Sequence, residues 1–182
     1  LDGEARGSVA FADGQAGFGQ AISLDGTAFV EILDSNDLDF AGGSMSISGW
    51  FTVGAFDKSW QALIAKGEQT TYRVARRGGA GSIAYAGGVG EGADDAPAVD
   101  DGGWHHFVAV SDASATDFGT ALYIDGVMYG VQATAPVLEA ETTNLYIGEN
   151  PEALGRQWIG LIDDIGIWSR VLSSDEVSAM YA

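Results

Sequence analysis

Short apolar or alternating runs separated by glycine are the feature that most constrains the fold of this chain. Glycine occurs 27 times and proline three times, a pattern typical of many short strands joined by tight turns. Ten segments are predicted to be strands; in chain order they are Ala28–Ile32, Met45–Val53, Ala62–Lys66, Thr71–Arg76, Ser82–Ala86, His105–Ser111, Ala121–Ile124, Val127–Val131, Leu145–Ile147 and Gly160–Trp168. The sequence has no repeat period and no sustained heptad, which excludes solenoids and coiled coils.

Two turns are visible in the sequence. Asp125-Gly126 lies inside an apolar run and suits the positive φ angles of a type I′ turn, so it predicts a two-residue hairpin. Leu24-Asp25-Gly26, just before the first predicted strand, suggests a second turn of the same kind.

Alternation within residues 45–53 indicates how the strands pack. Apolar residues on one face alternate with Ser46, Ser48 and Trp50 on the other. A central strand that is buried on one side and carries small polar residues on the other is typical of a sandwich. The sequence therefore predicts an all-β fold, a two-sheet antiparallel sandwich, in which residues 1–182 form a single domain.

One helix is expected at the end of the chain. Ser173 and Glu176 have the spacing of a capping box, in which each side chain bonds to the backbone N–H of the other residue. A short helix over about residues 174–181 is therefore predicted.

The charge balance limits the choice of partner. Twenty-six acidic residues face eight basic ones, for a formal net charge of −18. Such a surface repels phosphate backbones and anionic membranes, so no nucleic acid partner is expected. The acidic residues either keep the protein soluble, for example in a salty medium, or include carboxylates that hold a divalent cation.

Other bulk properties exclude several classes. The absence of cysteine excludes disulfides and thiolate zinc sites. No stretch approaches the roughly 18 apolar residues of a membrane span, so no membrane insertion is expected. The chain begins with Leu1 rather than methionine, as expected of a segment of a longer protein.

Four segments carry recognisable motifs. They are Gly-Phe-Gly-Gln-Ala-Ile-Ser-Leu-Asp-Gly at 17–26, Ser-Ile-Ser-Gly-Trp-Phe at 46–51, Trp-His-His-Phe-Val-Ala at 104–109 with Leu-Tyr-Ile-Asp-Gly at 122–126, and Ile-Gly-Leu-Ile-Asp-Asp-Ile-Gly-Ile-Trp-Ser-Arg-Val-Leu-Ser at 159–173. Together they resemble the bacterial laminin G-like domains of the concanavalin A-like lectin/glucanase superfamily. The resemblance implies a jelly-roll sandwich. Because this fold hosts lectins, adhesins, hydrolases and pentraxin-like proteins, it does not by itself identify a function.

The resemblance also implies a structural calcium ion. Carried over to this chain, its ligands are Asp2, Gly43 and Asp163, which offer the hard oxygen atoms that Ca²⁺ requires. Asp163 and Asp164 have an alternative role, in which they cap a turn or pair with Arg170.

Catalysis is not expected. Retaining glycosidases place two carboxyl groups about 5–5.5 Å apart, and on a strand this needs alternating acids. Glu139 and Glu141 have the closest spacing, but they lie in a predicted loop. His105 and His106 are strand neighbours that point to opposite faces and cannot chelate one ion.

Two tryptophans are candidate ligand-binding residues. Trp60 and Trp158 lie at the edges of predicted segments, where an exposed ring stacks on a sugar or, alternatively, anchors a loop against the core. The remaining three fall inside the motifs and are predicted to be buried: Trp50, Trp104 and Trp168.

Arg73, Arg76 and Arg77 hold three of the eight basic side chains within five residues. They either grip an anionic group such as sulfate or uronate, or pair with carboxylates of the protein itself.

The combined hypothesis is a non-catalytic binding module of a larger secreted or surface bacterial protein. A glycan is the predicted ligand, and a structural calcium is expected. The alternative is a laminin G-type adhesion domain that binds another protein. A groove lined by aromatic and amide side chains favours the first; a flat rim with apolar patches favours the second.

Overall fold

The computed structural model describes residues 1–68, 71–88, 95–116, 119–132 and 136–182, without the side chains of residues 131 and 132. Within these ranges the chain forms thirteen β-strands, a short 3₁₀ helix and one α-helix. The strands are β1 (Gly3–Arg6), β2 (Ala10–Asp13), β3 (Gln20–Asp25), β4 (Phe29–Ile32), β5 (Met45–Phe51), β6 (Ala62–Ala65), β7 (Tyr72–Arg76), β8 (Ile83–Gly87), β9 (His105–Ser111), β10 (Thr120–Ile124), β11 (Val127–Gln132), β12 (Leu145–Ile147) and β13 (Ile159–Trp168). The 3₁₀ helix is Asn36–Leu38, and α1 is Ser174–Tyr181.

The strands form two antiparallel sheets that pack face to face. The six-stranded sheet has the order β1-β4-β12-β6-β7-β8, and the seven-stranded sheet has the order β11-β10-β9-β5-β13-β3-β2. The main core lies between them. It includes Ile47 and Phe51 from one sheet and Ile64 and Tyr85 from the other, all without exposed surface. The predicted two-sheet antiparallel jelly-roll sandwich is confirmed.

All ten predicted strands are present, with ends that lie within two residues of the expected positions. Sequence analysis missed β1, β2 and β3. The first two are edge strands, one in each sheet, and most of their residues are exposed, so they lack an apolar alternation. In β3 the buried residues Ala21 and Leu24 are three apart, which also hides the period of a strand.

The two predicted turns have different outcomes. Asp125 and Gly126 have φ angles of 52° and 76° and join β10 to β11, which confirms the hairpin. The second prediction, a hairpin turn at Asp25-Gly26, is wrong because β3 and β4 belong to different sheets. The turn at Asp25-Gly26 carries the chain from one sheet to the other.

The C-terminal helix begins with the predicted capping box. The Glu176 N–H donates to Ser173 Oγ (3.3 Å), and the Ser173 N–H donates to Glu176 Oε2 (2.9 Å). Arg170 donates two hydrogen bonds to the same carboxylate, at 2.9 and 2.6 Å. The hydrogen bonding to Arg170 is the main reason that the pKa of Glu176 falls to about 2, so the Glu176 carboxylate stays ionised at neutral pH.

This helix covers part of the outer face of the seven-stranded sheet. Leu172, just before the cap, and Val177 of α1 are buried against Val108 and Val110 of β9 and Ala121 of β10. Within the described ranges, no helix has the length and apolarity needed to cross a membrane. The packing of α1 leaves the centre of the same sheet face partly open.

Candidate functional site

A cleft of about 250 Å³ opens on the outer face of the seven-stranded sheet. Its floor is formed by β5, β9 and β13. One wall is the loop of residues 14–19 between β2 and β3, and the other is the last turn of α1. The residues that line the cleft are Phe18, Ser48, Trp50, His106, Asp164, Ala179 and Met180.

The alternation of β5 explains the floor. Ile47 and Phe51 point into the core, so Ser48 and Trp50 face outward. Trp50 lies opposite His106 of β9 and Asp163 of β13 in the sheet register. The rings of Trp50 and His106 are 4.9 Å apart. The outer face of the sheet therefore carries an aromatic and polar floor at its centre.

Two further rings pack around Trp50. Phe18 approaches from the 14–19 loop, with 6.0 Å between ring centroids, and Tyr181 of α1 stacks at 5.8 Å. Phe18 is 44% exposed, whereas Trp50 is 6% exposed. Phe18 is thus the aromatic side chain of the lining most open to a ligand.

A bulge in β13 presents a carboxylate to the cleft. The register between β13 and β5 shifts between Asp163 and Gly166, and Asp164 has a φ of 48°. A bulge re-aims side chains, and positive φ is uncommon for residues other than glycine. The Asp164 side chain is exposed, and no donor among the described residues bonds to its carboxylate.

Asp163 holds both the bulge and the Phe18 loop in place. Its Oδ1 accepts from the Asp164 N–H (3.0 Å), and its Oδ2 accepts from the Gln15 N–H (3.1 Å). Gly14 lies so close that a Cβ there would be 2.2 Å from Asp163 Oδ2. Because Asp163 is only 7% exposed, this buried carboxylate positions one wall and part of the floor of the cleft from inside.

His106 adds an uncharged polar ring. It is 2% exposed, and its Nδ1 has no hydrogen-bond partner among the described residues. Burial lowers the pKa of His106 to about 4, while the nearby Asp125 carboxylate acts in the opposite direction. At neutral pH the ring is therefore neutral, and one of its nitrogens is a hydrogen-bond acceptor.

The neighbouring histidine has a different environment. His105 bonds through Nδ1 to Asp125 Oδ2 (2.8 Å) and through Nε2 to Asp101 Oδ1 (3.1 Å). Its ring lies near that of the core residue Phe51. The two histidines thus lie on opposite faces of β9, as expected from the sequence, and do not share a ligand.

A second cavity, of about 440 Å³, lies between the sheets near Leu1. Its lining is mostly isoleucine and leucine side chains, with Asp37 and Ser169 as its polar members. Such a lining offers few hydrogen bonds to a ligand rich in hydroxyl groups. The cleft is the stronger candidate because its Asp164 carboxylate and His106 Nδ1 have no hydrogen-bond partners among the described residues.

Trp158, predicted as a ligand-binding aromatic, has no exposed surface. Its Nε1 donates to Thr52 O (3.1 Å), and its ring meets those of Phe51 and Phe56 edge to face. A ring enclosed in this way cannot stack on a sugar. This prediction is corrected: the alternative role, an anchor against the core, applies to Trp158.

The predicted arginine cluster lies on the six-stranded sheet, on the opposite side of the sandwich from the cleft. Arg73 is 2% exposed; it pairs with Glu68, and its guanidinium lies over the Trp60 ring at 5.2 Å. Arg76 donates to three backbone carbonyls and lies over Phe56. Arg77 is exposed. Arg73 thus pairs with a carboxylate of the protein itself, as the alternative predicts, whereas Arg76 is held by backbone carbonyls.

The structure does not bring the three predicted calcium ligands together. Asp163 lies opposite Trp50 in the sheet. Trp50 is five residues beyond the start of β5, a distance of about 16 Å along the extended strand. Gly43 precedes that start, and Asp2 precedes β1 at an edge of the other sheet. Calcium ligands lie about 2.3–2.6 Å from the ion, so these residues do not form one site.

The Asp163 oxygens accept hydrogen bonds from backbone N–H groups, an arrangement that satisfies the charge without a cation. Among the described residues, no cluster of three or more His, Cys, Asp or Glu side chains is arranged to hold a metal. A structural calcium stays a prediction.

Sequence reasoning missed most of the cleft. The outward position of Ser48 follows from the alternation of β5, and Trp50 is buried as expected, although one part of its ring lines the cleft. No sequence pattern marked Phe18 or Asp164 as a site residue. The 14–19 loop brings Phe18 to the cleft and the bulge in β13 brings Asp164, and neither feature is visible in the sequence. Trp104 and Trp168 are half-buried.

The fold resembles several solved structures of binding domains. Domain 4 of an extracellular arabinanase from Geobacillus stearothermophilus, in complex with arabinotriose, matches with a TM-score of 0.73 at 18% identity, over 99% of this chain and 88% of that one. The binding domain of Paraclostridial Mosquitocidal Protein 1 gives 0.71 at 13% identity, and that of botulinum neurotoxin serotype G gives 0.67 at 14%. The chain spans about half of these two toxin domains, 47% and 46%, and they cover 99% and 98% of it.

Among curated proteins, no sequence match is found. A family model, Laminin_G_3, matches residues 24–178, which is most of the chain. The resemblance inferred from the four motifs is confirmed, and the chain belongs to the concanavalin A-like lectin/glucanases superfamily.

Proposed function

We propose that this protein is a non-catalytic module that binds a glycan in the cleft between the Phe18 loop and α1. One observation carries the proposal: an exposed aromatic ring, Phe18, lies beside the Asp164 carboxylate and His106 Nδ1, two hydrogen-bonding groups that have no partner in the described part of the chain. Aromatic faces stack on the apolar faces of sugar rings, and a few convergent polar groups fix their orientation. The arabinotriose complex of the similar arabinanase domain supports this choice of ligand.

The absence of catalysis is part of the proposal. Asp164 is the one carboxylate in the cleft lining as described. Asp163 lies beside it but is buried, and it accepts two backbone hydrogen bonds. Hydrolysis with retention or inversion needs two carboxyl groups that both reach the substrate. The cleft is therefore suited to hold a sugar and not to cleave it.

The remaining parts of the hypothesis concern the parent protein. We propose that residues 1–182 act as one domain of a longer bacterial protein that is secreted or displayed on the cell surface. The similar arabinanase is extracellular, and the similar toxin domains are binding domains. Calcium has no role in the proposed site, because its predicted ligands do not converge.

The competing hypothesis is an adhesion domain that binds another protein. Its support would be a continuous apolar surface. Three strongly exposed apolar residues, Leu33, Val127 and Val137, belong to three different segments of the chain. None of these side chains can form a hydrogen bond, whereas the Asp164 carboxylate and His106 Nδ1 lack partners among the described residues, so the cleft carries the proposal.

The test is a glycan array followed by calorimetric titration of the best oligosaccharide. Phe18→Ala should weaken binding about tenfold, or about 1.4 kcal/mol, because it removes a stacking ring. The melting temperature should change little, since Phe18 is 44% exposed.

Phe11→Ala is the matched control, because Phe11 is 68% exposed and does not line the cleft. Equal losses of affinity in the two variants would move the site away from the cleft. An array without any bound glycan would contradict the proposed function itself.

A further inference from the structure

The Asp164 carboxylate has no counter-ion within the described residues, whereas several basic side chains pair with carboxylates elsewhere in the protein. Arg6 pairs with Glu31, Lys66 with Asp34, Arg73 with Glu68, and Arg170 with Glu176. None of the basic side chains lines the cleft. Asp164 is held outward on the bulge in a backbone conformation that non-glycine residues seldom adopt. The cleft thus presents a negative charge that the protein does not neutralise.

Aromatic rings surround the space next to this charge. Phe18 and Trp50 line the cleft, and Tyr181 stacks on Trp50. The face of an aromatic ring attracts a cation through its quadrupole, most strongly in tryptophan. A carboxylate beside such rings is the combination that recognises an ammonium group.

The third group is an uncharged acceptor. His106 lines the cleft, is 2% exposed, and has an Nδ1 without a partner among the described residues. Burial keeps the ring neutral at pH 7, since it lowers the pKa to about 4. A neutral imidazole can accept a hydrogen bond from an ammonium group, and it adds no positive charge that would repel one.

We infer that the cleft prefers a sugar residue that carries a free ammonium group, as in a glucosamine unit, to neutral and acidic sugars. This inference rests on the proposed glycan-binding function and names the class of glycan. Asp164 would face the ammonium group, with the ring of Phe18 or Trp50 against it. A uronate or sulfate would meet a carboxylate instead of a cation, in a protein of net charge −18.

The size of the cleft limits how much of the ligand it holds. Its volume of about 250 Å³ is below the roughly 300–1,000 Å³ of pockets that enclose a drug-sized ligand. The cleft therefore holds about one sugar ring, and the remainder of a chain would extend into solvent. A charge on that single ring has a large effect on affinity, because the ring supplies most of the contacts.

The experiment compares three trisaccharides by calorimetric titration at pH 7 and fixed ionic strength: glucosamine, N-acetylglucosamine and galacturonate trimers. We expect the glucosamine trimer to bind at least about tenfold more tightly than its acetylated form, and the galacturonate trimer to bind most weakly. The preference should shrink in high salt, because the ammonium–carboxylate attraction is screened.

Asp164→Asn should remove the preference for the amine, so that the ratio of the affinities for the amine and acetylated trimers falls to about one. The matched control is Asp2→Asn, which also removes one exposed negative charge but lies on the six-stranded sheet side of the molecule. It should leave the preference intact. Equal affinities of wild-type protein for the amine and acetylated trimers would overturn the inference while leaving the proposed function in place.

A probe without a sugar ring distinguishes the cation preference of the cleft from its proposed glycan-binding function. Choline carries a cation alone, and its binding can be followed by the NMR shift of the Trp50 indole N–H, assigned with Trp50→Phe. A shift that Asp164→Asn abolishes, in a protein to which no glycan binds, supports the cation preference and contradicts the glycan function. The absence of both responses would overturn the inference together with the function.

Discussion

The two outer faces of the sandwich both carry polar side chains, but these differ in their hydrogen bonding. On one face the polar groups bond to each other, whereas on the other face some of them have no partner among the described residues. Beside the six-stranded sheet lies a polar cluster formed by Glu68, Arg73, Glu149, Asn150 and Arg156. Asn150 and Arg156 donate to Glu68 Oε1 at 2.6 and 2.7 Å, and Arg73 pairs with the other oxygen. On the seven-stranded sheet, by contrast, Asp164 and the Nδ1 of His106 lack partners among the described residues.

Glu149 shows how complete the pairing is in the polar cluster. It has no exposed surface, yet its carboxylate accepts from the N–H groups of Asn150 (2.8 Å), Gly155 (3.0 Å) and Arg156 (2.9 Å). A buried charge satisfied in this way fixes a loop and has little capacity left for a ligand. The comparison teaches that unsatisfied groups indicate a site better than the density of charge does.

The largest expected effect comes from Arg73→Ala in the polar cluster. It should lower the free energy of unfolding by about 2–4 kcal/mol, because it removes a buried side chain and one of the two arginines that pair with Glu68. Glycan affinity should not change. Lys58→Ala, which removes a half-buried basic side chain paired with the exposed Asp57, is the control and should stay within about 0.5 kcal/mol. Weaker glycan binding by Arg73→Ala at unchanged stability would place the ligand on this face instead.

A smaller loss is expected from Asp163→Asn, measured by denaturant unfolding. The amide has one oxygen where the carboxylate has two, so either the Gln15 or the Asp164 N–H would face a donor. An unmet buried hydrogen bond costs about 1–3 kcal/mol. Asp164→Asn, one residue away, is the control and should change stability by less than about 0.5 kcal/mol, since its carboxylate is exposed.

Asp163→Asn also tests whether Asp163 positions the Phe18 loop and the bulge or instead binds a metal ion. The loss of stability should be equal in chelator and in millimolar Ca²⁺, because backbone N–H groups occupy the Asp163 oxygens. A wild-type melting temperature that chelator lowers, and that becomes insensitive to chelator in Asp163→Asn, would restore the calcium site that the family resemblance implies.

The smallest expected effect is the acid sensitivity caused by His106. Burial lowers its pKa from 6.5 to about 4, so between these values the unfolded chain binds a proton that the folded chain excludes. This contribution to stability is present above about pH 6.5 and is lost as the pH falls towards 4. His106→Gln should flatten the dependence of melting temperature on pH over this range. An unchanged slope would show that other groups cause it.

The sequence predicted what depends on near neighbours along the chain. The alternation in β5, the Asp125-Gly126 turn and the Ser173–Glu176 capping box each involve residues that are close in sequence, and each is present in the structure. The edge strands β1 and β2 were missed because exposed strands need no apolar period. The turn after β3 was misassigned because a turn does not reveal whether its strands share a sheet.

The candidate site was mostly beyond prediction, as two residues show. Trp158 lies at a segment edge in the sequence but is enclosed by Phe51 and Phe56. Arg73 belongs to a basic group in the sequence but is neutralised by Glu68. In both cases the role of the side chain is set by the residues that surround it after folding.

By itself, the sequence determined the fold class, the family, most strands, the hairpin and the helix cap, because local patterns encode them. Only the tertiary structure decided which polar groups are satisfied. Asp163 illustrates the reason, since its partner Gln15 lies 148 residues away along the chain. This contact closes only when the seven-stranded sheet brings β13 beside β3, and it makes Asp163 a residue that positions the Phe18 loop, while the carboxylate of its neighbour Asp164 stays exposed.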